Sequence, residues 1–327
     1  MQPWIIACIV LATLLALVVG AALICFLMVF YSPKRKPVRA DEYPTPEGEI
    51  YDPYRPQMVE WIKAIRAMEH TDVSVTSFDG LTLRGTYYEQ KKGAPIEILC
   101  HGYRGTGERD LNGGVFRCFA LGRNALIIDH RAAGKSDGHV ITFGAKESRD
   151  VLTWVDFVLT SIDRDAKIIL TGISMGASTV MLAASKPLPP NVVGILADCG
   201  YTSTKAIVQK VSADMRLPAK LVYPFVRLGA LLFGGFDPDA DSPLASMKRC
   251  HLPVIFFHGD DDAFVPCSMS RENYDACASA HKQLVLIRGA GHGLAFPADQ
   301  ELYLSELRSF FAPVFKPIEH DVSKEFT

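Results

Sequence analysis

From position 5 to position 30 the chain carries no charge, and its only hydroxyl is Thr13. About 20 apolar residues suffice for a helix to cross a bilayer, so the pattern predicts a transmembrane anchor over residues 1–32. A cleaved signal peptide fits less well. The stretch is long, no basic residue sits near Met1, and no A-x-A site ends it. Lys34, Arg35, Lys36 and Arg39 follow directly, whereas the short segment before it has only its α-amino group. That bias predicts a single-pass membrane protein with everything after the anchor on the cytoplasmic side. Prolines at 33, 37, 44, 46, 53 and 56 then predict an extended linker over 33–57. A short helical pattern at 59–68 opens a folded domain over 58–327.

Within that domain, 73–78 and 81–88 alternate with period two around Asp79-Gly80, a dipeptide suited to a hairpin turn. Six short apolar runs follow, at 96–100, 125–129, 167–171, 192–198, 254–258 and 283–287. Helical patterns lie between or after them, near 112–121, 145–160, 177–185, 268–280 and 298–311. Continuous Val/Ile/Leu runs alternating with helices predict an α/β fold. Its central sheet is mostly parallel, opens with an antiparallel N-terminal hairpin, and is covered by helices on both faces. The alternation breaks at 201–249, a span too long for an ordinary connection, which predicts an inserted helical cap. Its apolar part at 217–236 includes Tyr223, Phe225, Phe233 and Phe236. Two readings fit it: cap helices packed on the core, or an apolar wall over the active site that could face lipid.

Composition narrows the possibilities. At 327 residues and 49% hydrophobic, the chain can bury one large core or two modest ones. A net charge of -2 gives no electrostatic reason for a nucleic-acid partner. The eight cysteines have irregular spacing and no C-x-x-C pair, so neither a metal site nor a disulfide framework is indicated. Cys100 and Cys199 fall in apolar runs and read as buried free thiols, a pattern suited to a reducing compartment. Gly134-Lys135-Ser136 has the ending of a phosphate loop, but such a loop needs glycine where Asp129 stands.

Candidate chemistry gathers where the apolar runs end, as it does in parallel sheets. The run at 167–171 leads into G-x-S-x-G (Gly172, Ser174, Gly176), between a strand pattern and a helix pattern. Such a turn holds a serine in a strained conformation with its Oγ presented at the sheet edge. The run at 96–100 leads into H-G-Y-R-G, where a turn at His101-Gly102 would aim the Tyr103 amide at that serine. With the Met175 amide it would form an oxyanion hole. His101 itself reads as structural. A serine nucleophile needs a base and a carboxylate to orient it. His292, with glycine on both sides at a strand end, is the base candidate; His70, His139, His281 and His320 read as surface or packing residues. Asp260, Asp261 and Asp262 are adjacent, and only one can be the acid.

With these motifs the sequence resembles the α/β-hydrolase superfamily from about position 73 to 311. The chain order nucleophile, acid, histidine matches Ser174, Asp262 and His292. The likeness is sharpest to the serine-aminopeptidase-like and monoacylglycerol-lipase-like branch, where H-G-x-x-D-x-x-V-P places the acid at its fifth position, here Asp262. That branch also has D-x-R-G-x-G-x-S. Here Asp129, Arg131, Gly134 and Ser136 match it, and Ala132 stands where the first glycine usually does. The resemblance implies Tyr103 and Met175 as oxyanion donors, and neither a metal nor an organic cofactor. It implies transfer of an acyl group to water through an acyl-enzyme on Ser174, and the membrane anchor beside an apolar cap favours a lipid-like carboxylic ester as the small-molecule substrate. An aminopeptidase or amidase would use the same triad, an acyltransferase would exclude water, and a binding protein could borrow the fold without turnover.

Overall fold

The computed structural model describes residues 2–34 and 38–315; Arg35, Lys36, Pro37 and His320 lie outside the described residues. One sheet organises the domain. Its strands are β1 (Thr71–Thr76), β2 (Thr82–Tyr88), β3 (Ile96–Cys100), β4 (Asn124–Ile128), β5 (Ile168–Ile173), β6 (Val192–Asp198), β7 (Val254–Gly259) and β8 (Lys282–Ile287). Their spatial order is β1-β2-β4-β3-β5-β6-β7-β8. β2 pairs antiparallel with β1 and with β4, and every later pairing is parallel. The hairpin closes as expected at Asp79-Gly80, with the Ser77 hydroxyl accepting the Leu81 amide at 2.8 Å.

Alternation along the central strands divides the core in two. Ile96, Ile98, Leu170, Ala197 and Phe256 face Trp154, Val180 and Met181 on α4 (Glu147–Phe157) and α5 (Met175–Ala183). Ile169, Leu196, Ile255 and Phe257 face the opposite way, toward Tyr303 and Phe311 of α11 (Gln300–Phe315), which follows α9 (Cys267–Ala276) and α10 (Ala295–Ala298) in the chain. Also on that second face, α2 (Arg55–Ala67) and α3 (Gly107–Ala120) bring Ile65 and Val115 against Leu99 and Ile127. Both faces are thus covered by helices, which is why these strands read as unbroken apolar runs. One charge interrupts them. Glu97 of β3 is fully buried, receives Arg117 at 2.7 Å and the Thr171 hydroxyl at 3.0 Å, and is also bonded by Arg123.

From β3 the chain winds to β4 on one side, then returns past β3 to build β5, β6, β7 and β8 on the other. The winding reverses between β3 and β5. In open sheets of this kind a crevice forms outside the carboxyl ends of the strands at that point.

Two segments outside the sheet differ in detail from the sequence pattern. α2 begins at Arg55, ahead of position 59, and takes Pro56 into its first turn, where the missing N–H has no intrahelical acceptor to lose. A single 3-10 turn, Glu49–Tyr51, precedes it. The proline-rich stretch is therefore folded over its last residues rather than extended throughout. The cap forms α6 (Thr204–Asp214), α7 (Ala219–Gly229), a π turn at Ala230–Gly234 and α8 (Pro243–Met247). Ser203 and Ser242 cap α6 and α8 by accepting amides in the first turn.

Among the described residues, the one helix long and apolar enough to cross a membrane is α1 (Pro3–Val29). Its last turns dock on the cap, with Ala22, Phe26 and Phe30 buried. Gly229 permits the contact, because a Cβ there would sit 2.4 Å from the Ala22 carbonyl oxygen. Phe30 lies edge-on to Phe236 and Phe143, with centroids 5.2 and 5.6 Å away. Beyond the helix the Ser32 amide donates to His139 O at 2.8 Å, and the Ile141 amide to Phe30 O at 2.8 Å.

Candidate active site

At the junction of β5 and α5, Ser174 adopts φ 56°, ψ -117°, a conformation that costs a non-glycine residue on the order of 1–3 kcal/mol. The surroundings enforce it. A Cβ on Gly172 would lie 2.1 Å from the Gly176 carbonyl, and one on Gly176 would lie 2.0 Å from Cys100 O. Only glycine at both positions lets the strand-to-helix turn close against β3. The Ser174 amide is anchored to Asp198 O at 2.8 Å, which leaves the side chain to face the crevice.

The loop after β8 carries His292, and the loop after β7 carries Asp262. His292 Nε2 lies 2.9 Å from Ser174 Oγ, and Nδ1 lies 2.7 Å from Asp262 Oδ2. Against an ionised carboxylate, Nδ1 is the donor and Nε2 is left to accept the serine proton. Of the three adjacent aspartates only Asp262 is buried. Its Oδ1 accepts the Phe264 and Val265 amides at 2.9 and 2.8 Å. Burial alone would raise the pKa of this carboxyl. Bonds from His258, His292 and the Val265 amide outweigh that and hold it well below the usual carboxylate range. Asp260 instead accepts the Gly289 amide at 2.6 Å and braces the neighbouring turn, and Asp261 faces solvent.

His258 begins the same H-G-D-D-D run. It is fully buried, with Nδ1 2.6 Å from Ser270 Oγ and Nε2 2.8 Å from Val265 O and 3.2 Å from Asp262 Oδ2. It props the acid loop from beneath and has no access to a substrate.

Tyr103 and Met175 bracket the serine. Met175 is the first residue of α5, so its amide has no intrahelical acceptor. The Tyr103 amide has no backbone acceptor among the described residues. Gly102 packs directly on Ser174, since a Cβ there would be 3.5 Å from Ser174 Cβ. The turn is pinned from two sides: Asp110 accepts the Gly102 amide at 3.0 Å, and His101 Nδ1 lies 2.8 Å from Gly102 O. His101 Nε2 accepts the His130 amide at 3.0 Å, tying the ends of β3 and β4 together. The Gly134-Lys135-Ser136 turn is knit inward, with the Lys135 amide and the Ser136 hydroxyl both donating to Asp129. Ala132 has φ 61°, a left-handed conformation that accounts for glycine being usual there.

A cavity of about 630 Å³ opens over Ser174. Its roof is a strap from the proline-rich segment, Pro46 to Tyr51, and its sides include Trp61, Phe264 and Phe296. Tyr51 donates its hydroxyl to His292 O at 3.0 Å, fixing the strap to the base loop. No residue of 201–249 lines the cavity, so of the two readings of 217–236 the wall over the site does not hold, and the strap lines the cavity instead. Proline spacing could mark this segment as extended but carried no signal for where it lies. Asp198 forms part of the lining, receives the Tyr303 hydroxyl at 3.0 Å, and has its pKa raised by burial. Cys199, Asp262 and His292 bring one potential metal ligand each within 4.8 Å of one another. Two of the three are already bonded to each other, and burial pushes the Cys199 thiol well up, so the group is the back of the Ser-His-Asp chain.

No family model matches the chain. Among solved structures, the esterase Pf2001 of Pyrococcus furiosus superposes with a TM-score of 0.63 at 22% identity, over 86% of this chain and 99% of that one. The alpha/beta hydrolase domain-containing protein 10 from mouse does so at 0.55 and 20%, over 75% and 99%. By sequence, the uncharacterized protein YqkD of Bacillus subtilis is 26% identical over 250 residues, 76% of this chain and 81% of YqkD. Strand order and these superpositions together establish the α/β-hydrolase fold.

Proposed function

We propose that the chain is a serine hydrolase that cleaves a carboxylic ester through an acyl-enzyme on Ser174. The observation that carries this reading is the unbroken hydrogen-bonded path from Ser174 Oγ through His292 to Asp262, at 2.9 and 2.7 Å, on a strained turn. Ser174 Oγ attacks the carbonyl carbon while its proton passes to His292 Nε2, and the Tyr103 and Met175 amides receive the developing oxyanion. The tetrahedral adduct collapses, His292 protonates the departing alkoxide, and the acyl group stays on Ser174. Water then repeats the sequence, with His292 taking its proton and returning one to Ser174. Asp262 stays ionised and stabilises the imidazolium.

Apolar side chains in the cavity lining, Ile50, Trp61, Phe264 and Phe296, suit an acyl chain and support an ester, while Glu47, Glu49 and Asp198 in the same lining suit the free amine of an aminopeptidase substrate. The H-G-D-D-D-A-F-V-P run and the esterase name of the Pyrococcus furiosus neighbour support the ester reading. α1 is the proposed membrane anchor, single-pass with the domain on the cytoplasmic side. Its support is the outward exposure of Trp4, Ile9, Leu11, Leu14 and Leu17 and the basic residues that follow.

A fluorophosphonate probe should label the full chain, and Ser174→Ala should abolish labelling; label persisting on that variant would sink the assignment. Turnover of p-nitrophenyl esters well above aminoacyl anilides is expected, and the opposite ranking would favour an aminopeptidase. Carbonate-washed membranes should retain the protein.

A further inference from the structure

α7 carries two apolar stripes, and the core accounts for one. Tyr223, Val226 and Ala230 are buried against α1 and the domain. Leu221 and Leu228 recur at i and i+7 on the other side of α7, and Leu231 and Leu232 follow in the π turn that continues it. Leu221, Leu231 and Leu232 are 69%, 46% and 54% exposed, and Met215 and Leu217 just before α7 are 56% and 42% exposed. A contiguous outward patch of this kind marks a surface made to meet something apolar.

What it meets follows from its neighbour. α1 is buried only from about Ala22 onward, where Gly229 abuts the Ala22 carbonyl and Phe233 packs on Phe26 with centroids 5.8 Å apart. From Pro3 to Ala21 the helix stands clear of the domain, roughly 28 Å at 1.5 Å per residue, close to the hydrocarbon thickness of a bilayer. If that length spans, the membrane boundary falls at the level of Ala22. Gly229 at the end of α7 sits at that level, and the Ala230–Gly234 turn with its exposed leucines follows about one helical turn nearer the domain, against Phe26. Arg216 and Lys220 are interspersed among its first apolar residues, as cations are where a helix lies among lipid headgroups.

We propose that residues 215–233 form a membrane-binding edge whose partner is the lipid bilayer itself, beside the point where α1 enters it. The inference rests on the reading of α1 as a spanning helix. The domain would then be held by two elements, one crossing the bilayer and one lying in its headgroup and acyl boundary, instead of swinging on a tether.

The test uses the full chain in phosphatidylcholine vesicles with or without brominated acyl chains; the Trp4→Phe chain, which keeps Trp61 and Trp154, is the background whose emission is subtracted. Single variants Leu14→Trp, Leu232→Trp and Leu302→Trp report on α1, the cap edge and a remote surface of α11. Tryptophan at 232 should emit at shorter wavelength and lose about half its intensity to brominated lipid, as expected for a side chain seated at the acyl boundary. Tryptophan at 302 should lose almost none. Quenching at 14 without quenching at 232 would overturn the cap edge while leaving the anchor intact. Failure at 14 would remove the anchor and the inference with it. Blue-shifted emission at 232 that ignores bromine and reverts on dilution would mean that a second copy of the chain covers the patch, and would also overturn it.

Discussion

The hydroxyl of Tyr103 donates to the carbonyl oxygen of Val29 at 2.7 Å. Beside it, Arg104 donates to Met28 O at 2.9 Å and to Tyr31 O at 3.1 Å. Carbonyls in the last turn of a helix have no intrahelical donors, and a cation there also meets the negative end of the helix dipole. The loop that carries the Tyr103 amide thus rests on the end of α1, and Arg104 holds a left-handed φ of 52° within it. Charge on the oxyanion develops only as the transition state is approached, so loosening this loop should act on kcat more than on KM. Tyr103→Phe keeps the ring and removes the bond; kcat for a soluble ester should fall about tenfold with KM little changed. Inhibition by a trifluoromethyl ketone, which mimics the tetrahedral adduct, should weaken in parallel. An unchanged kcat with a lowered melting temperature would reduce the contact to packing.

Only one of the three adjacent aspartates faces the imidazole. Asp262→Asn should lower turnover by roughly four decades, because it removes the charge that fixes the His292 tautomer. Asp261→Asn should cost almost nothing, and Asp260→Asn only what the lost brace on Gly289 costs the loop. Steady-state kinetics on the three variants ranks them, and any order that does not put Asp262 first refutes the assignment.

Glu97 makes a stability prediction with a definite pH window. Burial opposes its charge, but Arg117 and Arg123 outweigh burial and bring its pKa down to about 2, from 4.5 for an ordinary glutamate. A carboxyl whose folded pKa is depressed contributes stability above the unfolded value and loses it as pH falls through the folded one. Thermal stability should therefore decline between about pH 4.5 and pH 2, in part through this residue. Glu97→Gln leaves two buried guanidinium groups without a counter-charge and should cost about 3–5 kcal/mol at neutral pH. Its melting temperature should depend less on pH across that window than that of the parent.

Much of the sheet was legible in the sequence, because strands covered on both faces must be largely apolar, and β3 to β7 are, apart from hydrogen-bonded groups such as Glu97 and His258. The Ser174 turn was legible for a related reason: contacts of 2.0–2.1 Å leave glycine as the only choice at 172 and 176. Asp262 needed the family likeness, since three consecutive carboxylates are alike until one of them is buried. Two things were not legible. A run such as 217–236 shows that a surface is apolar without saying which stripe meets protein, and here one stripe meets α1 while the other faces outward. The strap was hidden because proline reports backbone shape, whereas its place over Ser174 is set by contacts between residues far apart in the chain, such as Tyr51 with His292.

That last contact gives the strap a testable part in the chemistry. The Tyr51 hydroxyl has its pKa pushed far up, first by burial and then by Cys199, Asp110 and Asp262 nearby, so it remains a neutral donor to His292 O at any working pH. Removing one neutral hydrogen bond is worth about 1 kcal/mol, so Tyr51→Phe should lower kcat/KM about fivefold through a looser base loop. Tyr51→Ala removes the roof as well, and should raise KM most for esters long enough to reach the strap, with short acyl esters little affected. The comparison is a chain-length series of p-nitrophenyl esters on both variants. Equal losses at every length would show that Tyr51 steadies His292 without shaping the substrate cavity, and no loss in either variant would remove the strap from the active site altogether.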